Sequence, residues 1–89
     1  MTAGDERSIA QFAQVLRSRK KVSEGTVSVY LRDLQNFDEY LRGRNRTLGD
    51  VLASDIEQYL RALSESGKSS AVQARVATSL RQFYGYLAS

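Results

Sequence analysis

Apolar residues return every three or four positions along four stretches of the chain, the period of amphipathic helices. Ile9, Phe12, Ala13 and Leu16 mark a first helix, predicted from a Ser8 cap to about Arg19. Ser23 is placed to cap a second, whose stripe of Val27, Tyr30, Leu31, Leu34, Phe37 and Leu41 runs to about Arg42, with Gly43 closing it. Thr47 to Asp50 reads as a capping box that opens a short connecting turn through Leu52. Ser54 with Glu57 forms a second such box before a helix on Ile56, Tyr59, Leu60 and Leu63, which stops at Gly67. Ser69 or Ser70 then caps a fourth helix carrying Val72, Val76, Leu80, Phe83, Tyr84 and Leu87. The expected core is Phe12, Leu16, Tyr30, Leu34, Phe37, Leu60, Leu63, Leu80, Phe83 and Leu87.

The two halves slide into register. A shift of 47 places Ile9 on Ile56, Phe12 on Tyr59 and Leu16 on Leu63, and a shift of 46 pairs Ser23 with Ser69, Leu34 with Leu80, Phe37 with Phe83 and Leu41 with Leu87. Two helical hairpins about a pseudo-two-fold are the simplest reading, and chance register between amphipathic helices is the alternative. Either way the fold class is all-α, a four-helix bundle. The 89 residues, without proline and with six glycines, suit one domain: residues 1–7 as a flexible polar tail and 8–89 as the helical body.

Composition narrows the chemistry. Cysteine and histidine are both absent, which removes disulfides, thiolate nucleophiles, imidazole bases and the usual zinc ligands. The carboxylate pairs Asp33 with Asp38 and Asp55 with Glu57 lie on different helix faces, and so small a domain has little room for an enclosed active site, so no catalysis and no cofactor are expected. No apolar run approaches the roughly 20 residues that span a bilayer and residues 1–7 lack a secretory signal, so a cytoplasmic protein without membrane contact is expected.

Charge then points to a partner. The net +3 lies wholly in the first half, where nine basic residues face six acidic ones up to Arg46, against four of each afterwards. One cluster, ending in Lys20 and Lys21, lies before the second helix, where free backbone N–H groups, the helix dipole and the hydroxyls of Ser23 and Thr26 favour an anion. By the repeat, Lys68, Ser69 and Ser70 hold the matching place before the fourth helix. The other cluster, Arg42, Arg44 and Arg46, needs no ligand, since cations suit a helix C-terminus. No carboxylate occurs from Ser66 to Ser89, so the fourth helix, with Gln73, Arg75 and Ser79 beside its apolar stripe, can approach phosphate without repulsion. Solvated turns and ordinary caps account for the same residues equally simply.

The string Ser23-Glu24-Gly25-Thr26-Val27-Ser28-Val29-Tyr30-Leu31-Arg32-Asp33-Leu34 resembles the second-helix signature of the N-terminal core-binding domain of tyrosine recombinases, the phage integrase and Xer-type family. Ser54-Asp55-Ile56-Glu57-Gln58-Tyr59-Leu60 is similar to the start of that domain's third helix. Ser70 with Arg75, and Leu80-Arg81-x-Phe83-Tyr84-x-Tyr86-Leu87, are similar to its fourth. Val22, Gly25 and Gly85 depart from the pattern, and the fourth helix is less basic than in many relatives. The resemblance runs from Ile9 to Leu87. It implies a SAM-like bundle that clamps double-stranded DNA opposite a separate catalytic domain, with recombinase protomers as partners in a synaptic complex and the isolated domain a monomer. That domain, absent from this chain, would hold the tyrosine nucleophile. The expected DNA contacts are Lys20, Lys21, Ser23 and Thr26 at the second helix and Lys68, Ser70, Gln73 and Arg75 at the fourth, with Tyr30 and Arg81 at lower weight, Arg81 being a possible ion-pair partner of Asp33 or Asp38. A helical protein-interaction module is the alternative, and a dimeric helix-turn-helix repressor a more distant one.

Overall fold

The computed structural model describes residues 3–19 and 22–88. Its helices are α1 (Ala3–Ser18), α2 (Glu24–Arg42), α3 (Ala53–Glu65) and α4 (Ser70–Ala88), with a 3-10 turn at Leu48–Asp50. The all-α expectation holds. The helix ends, however, differ from the sequence reading in instructive ways.

Helix α1 starts at Ala3 rather than at a Ser8 cap, so residues 3–7 belong to the helix and not to a tail. Asp5 and Glu6 fall in its first turn, where negative charge complements the helix dipole, and Asp5 is buried. At α2 the expected cap forms: the Ser23 hydroxyl accepts the Thr26 N–H at 3.1 Å. The far end of α2 is closed by Asn45, not Gly43. Gly43 keeps right-handed geometry at φ −64°, whereas Asn45 takes φ 59°. There the Arg46 N–H reaches Leu41 O at 2.9 Å and the Asn45 N–H reaches Arg42 O at 3.1 Å, the paired bonds of a Schellman motif. The same motif ends α3: Gly67 at φ 88° lets the Lys68 N–H reach Leu63 O and its own N–H reach Ser64 O.

Neither predicted capping box forms as written. Thr47 precedes the 3-10 turn without a side-chain cap bond. Helix α3 begins one residue before Ser54, and the Asp55 carboxylate, not Glu57, reaches back to accept the Leu52 N–H at 2.8 Å. At α4 the choice resolves to Ser69, whose hydroxyl accepts the Val72 N–H at 3.2 Å, leaving Ser70 as the first helical residue.

Phe12, Leu16, Leu34, Phe37, Leu80 and Phe83 are fully or almost fully buried, joined by Val27, Leu41, Leu48 and Val76. Tyr30, Leu60 and Leu63 lie half-buried at the margin. Leu87 is 41% exposed, because it falls in the last turn of α4 beyond Phe83, the last buried side chain of that helix. The Phe12 ring meets Phe83 edge-on at 5.4 Å, packing α1 on α4, and Phe37 meets Tyr59 at 4.9 Å, packing α2 on α3.

Helices α2 and α4 cross at a polar contact. The hydroxyl of Ser79, itself fully buried, donates to Asp33 Oδ2 at 2.7 Å, and the two residues are 46 positions apart. That is the repeat offset of the second and fourth helices, so Asp33 and Ser79 hold equivalent places in the two hairpins and touch each other. Contact between equivalent residues is what a two-fold relation of the hairpins predicts near its axis.

Candidate nucleic-acid interface

The sequence-predicted residues fall into separate groups. Ser23 and Thr26 stand together at the start of α2, their hydroxyl oxygens 3.0 Å apart. Lys68 and Gln73 stand together before α4, where Gln73 Nε2 donates to the Lys68 carbonyl at 3.0 Å. The Lys68 side chain and Ser70 are exposed beside them. Lys20 and Lys21 lie outside the described residues.

Arg75 forms the third group, in the first half of α4. Its Nη2 donates to Asp33 Oδ1 at 2.9 Å and its Nε to Asp33 Oδ2 at 3.2 Å, a bidentate pair across the helix crossing. The Asp33 side chain is only 1% exposed, whereas that of Arg75 is 45% exposed. The hydrogen bond to Asp33 raises the Arg75 pKa above the ordinary guanidinium value. Arg75, not Arg81, is thus the ion-pair partner of Asp33.

Two arginines of the second basic cluster have side-chain partners within the fold, beyond the helix-end role expected of them. Arg44 lies 4.7 Å over the Tyr40 ring and donates to Gln58 Oε1 at 2.7 Å, while Arg46 pairs with the buried carboxylate of Asp55 at 3.5 Å. Arg42 is exposed.

Structure adds a group that the helical period could not reveal. Arg19 Nη1 approaches Gln82 Oε1 at 3.4 Å, bringing the end of α1 onto α4. Val15, Arg19, Arg81, Gln82, Gly85 and Tyr86 line an open groove of about 380 Å³ there, with two guanidinium groups and no carboxylate. Arg19 belongs to the same basic run as Lys20 and Lys21, but pairing across 63 residues leaves no trace in the period of either helix. The exposed face of α4 continues through Ala74, Arg75, Thr78, Arg81, Gln82 and Gly85: short side chains between basic and amide ones, without a negative charge.

Away from this face, the Tyr84 hydroxyl donates to Leu48 O at 2.8 Å. Burial, reinforced by the carboxylates of Asp5, Asp38 and Asp55, raises its pKa far above the ordinary 10.0. Tyr59 is raised less strongly, by burial and then by Asp33 and Glu39. A raised folded-state pKa favours the protonated fold. This contribution is therefore complete below pH 10 and is lost as pH rises through the folded-state values. Unfolding free energy is expected to fall between pH 10 and 12, more steeply in the wild type than in Tyr84→Phe. Denaturant titrations with tyrosinate absorbance check this, and equal slopes in both proteins would contradict it.

A family model described as the phage integrase N-terminal SAM-like domain matches residues 9–89. The chain belongs to this family. Among curated relatives, this integrase N-terminal domain is 39% identical over 79 residues to tyrosine recombinase XerD of Shewanella oneidensis, covering 89% of the present chain and 26% of the relative. It is 32% identical over 87 residues to XerD of Rhizobium meliloti, covering 98% of the chain and 28% of the relative. Against tyrosine recombinase XerC of Lacticaseibacillus casei it is 34% identical over 86 residues, 91% of the chain and 28% of the relative. The domain thus spans about a quarter of the length of these recombinases. No solved structure matches it at a significant level. Among the described residues no helix is long and apolar enough to cross a membrane, and no group of side chains could hold a metal ion.

Proposed function

We propose that this integrase N-terminal domain binds double-stranded DNA, without catalysis of its own, as the clamp domain of a cytoplasmic site-specific tyrosine recombinase. The observation that carries the reading is the exposed face of α4, which presents Arg75, Arg81 and Gln82 among short side chains with no carboxylate. A helix face of that kind fits a duplex groove, and the helix starts at Ser23 and Ser69, the latter with Lys68 beside it, offer N–H groups and positive charge to flanking phosphates. Lys20 and Lys21 would add mobile charge at the first of these. Strand cleavage belongs to a second domain on the other face of the duplex, and the domain meets other protomers only within the assembled recombinase, being a monomer alone.

An amide chemical-shift titration of the domain with a short random-sequence duplex at two salt concentrations tests this. Shifts are expected at Ser23–Val27 and Lys68–Arg75. They should fade with salt, with a slope of about −4.5 for about five phosphates. The groove between α1 and α4 favours a second reading, a protein-interaction module. Still amides at low salt throughout α2 and α4 would leave that reading in place of DNA binding.

A further inference from the structure

We infer that Asp33 acts as a positioning residue, holding Arg75 so that the outer edge of its guanidinium meets a pair of hydrogen-bond acceptors on duplex DNA. This deepens the DNA-binding reading and rests on it.

A guanidinium carries five N–H donors in a rigid planar fork. Asp33 engages one edge, Nε and one Nη2 hydrogen, at 3.2 and 2.9 Å. The Nη1 group and the second Nη2 hydrogen stay unengaged by any described residue, and together they form an end-on edge of the same width as the engaged one. The side-chain exposures, 1% for Asp33 and 45% for Arg75, put the anchor inside and leave part of the fork in solvent. The anchor is fixed in turn, because Ser79, fully buried on the next turn of α4, donates to Asp33 Oδ2 at 2.7 Å. Ser79, Asp33 and Arg75 therefore run from core to surface as one hydrogen-bonded chain. The neighbouring exposed positions on α4, Ala74 and Thr78, are short, so a ligand can approach the edge closely.

Two acceptors side by side are what this edge recognises: N7 and O6 of guanine in the major groove, or two non-bridging oxygens of one phosphate. The Asp33 carboxylate offsets much of the charge of Arg75. The arginine then adds little to the counterion release that drives non-specific affinity, and its contribution is orientation. A free lysine at the same place would give charge without geometry. Asp33 in this way determines how Arg75 meets DNA although it is too buried to touch it.

The test binds the full chain to a pool of random-sequence duplexes, sequences the retained fraction, and measures bulk affinity against salt for wild type, Asp33→Asn, Arg75→Lys and Arg75→Gln. If the acceptors are those of guanine, wild type enriches guanine at one position, and that preference falls about tenfold in Asp33→Asn and Arg75→Lys. If they are phosphate oxygens, no base is enriched, the salt slope falls by well under 0.9 in Arg75→Gln, and Asp33→Asn and Arg75→Lys each lower affinity for every duplex about tenfold, beyond any loss of folded fraction. Either result supports the assignment and tells the two sources apart. A purely structural pair would weaken all sequences alike in proportion to the folded fraction seen by circular dichroism, with an unchanged slope, and that overturns it. Should Asp33→Asn fail to fold, Arg75→Lys, which keeps a cation opposite Asp33, still decides. Wild type that holds no duplex at low salt overturns the DNA-binding reading itself, and this inference with it.

Discussion

Phe83→Ala is expected to destabilise the domain by about 3–5 kcal/mol, the range for truncating a fully buried aromatic side chain. The ring has no exposed surface, meets Phe12 edge-on at 5.4 Å and Tyr84 at 5.1 Å, and so joins α1 to α4. A chain of 89 residues has a total stability of about 4–13 kcal/mol, so this one change removes a large share of it. The melting temperature should fall by roughly 15 °C or more. Leu87→Ala, four residues on, removes an apolar side chain that is already 41% exposed and should cost less than about 1 kcal/mol. Urea denaturation of both variants measures the contrast. Equal midpoint shifts would mean that the end of α4 packs otherwise than described.

The second large effect is electrostatic. Asp33→Ala is expected to cost about 2–3 kcal/mol, below the usual figure for breaking a buried pair because Arg75 is half exposed and regains water. What cannot regain water is the Ser79 hydroxyl, fully buried and without its acceptor once the carboxylate is gone. A fall of roughly 10–20 °C in melting temperature is the expected reading by circular dichroism. A change under about 3 °C would indicate that solvent reaches the α2–α4 crossing and that the pair is a surface feature.

Helix number, order and most of the core were legible in the sequence because each depends on the spacing of apolar residues within one helix. Leu34, Phe37, Leu80 and Phe83 sit where the period puts them. Helix ends were less legible, since several residues can do the same job. Asn45 adopts the left-handed conformation for which Gly43 is the more obvious candidate, and Asp55 does what the Ser54 and Glu57 spacing suggested for Glu57. The beginning of α1 was missed because Ala3 to Arg7 carries no apolar stripe, while the stabilising charge of Asp5 and Glu6 is not periodic. Of the candidate site, Ser23 with Thr26 and Lys68 with Gln73 were placed by local rules alone. The Arg75 pairing with Asp33 and the Arg19 contact with Gln82 join distant segments, and one helix's pattern holds no information about which partner faces it.

The meeting of Asp33 and Ser79 between the two hairpins bears on how the chain reaches its fold. Each hairpin can form from neighbouring segments, but the buried carboxylate finds its hydroxyl and guanidinium partners only when the hairpins dock, across a separation of 46 and 42 residues. Until then the first hairpin carries an apolar face with a charge in the middle of it, which opposes burial. Docking and neutralisation are consequently one event, so that neither half persists alone and the four helices gain and lose order together.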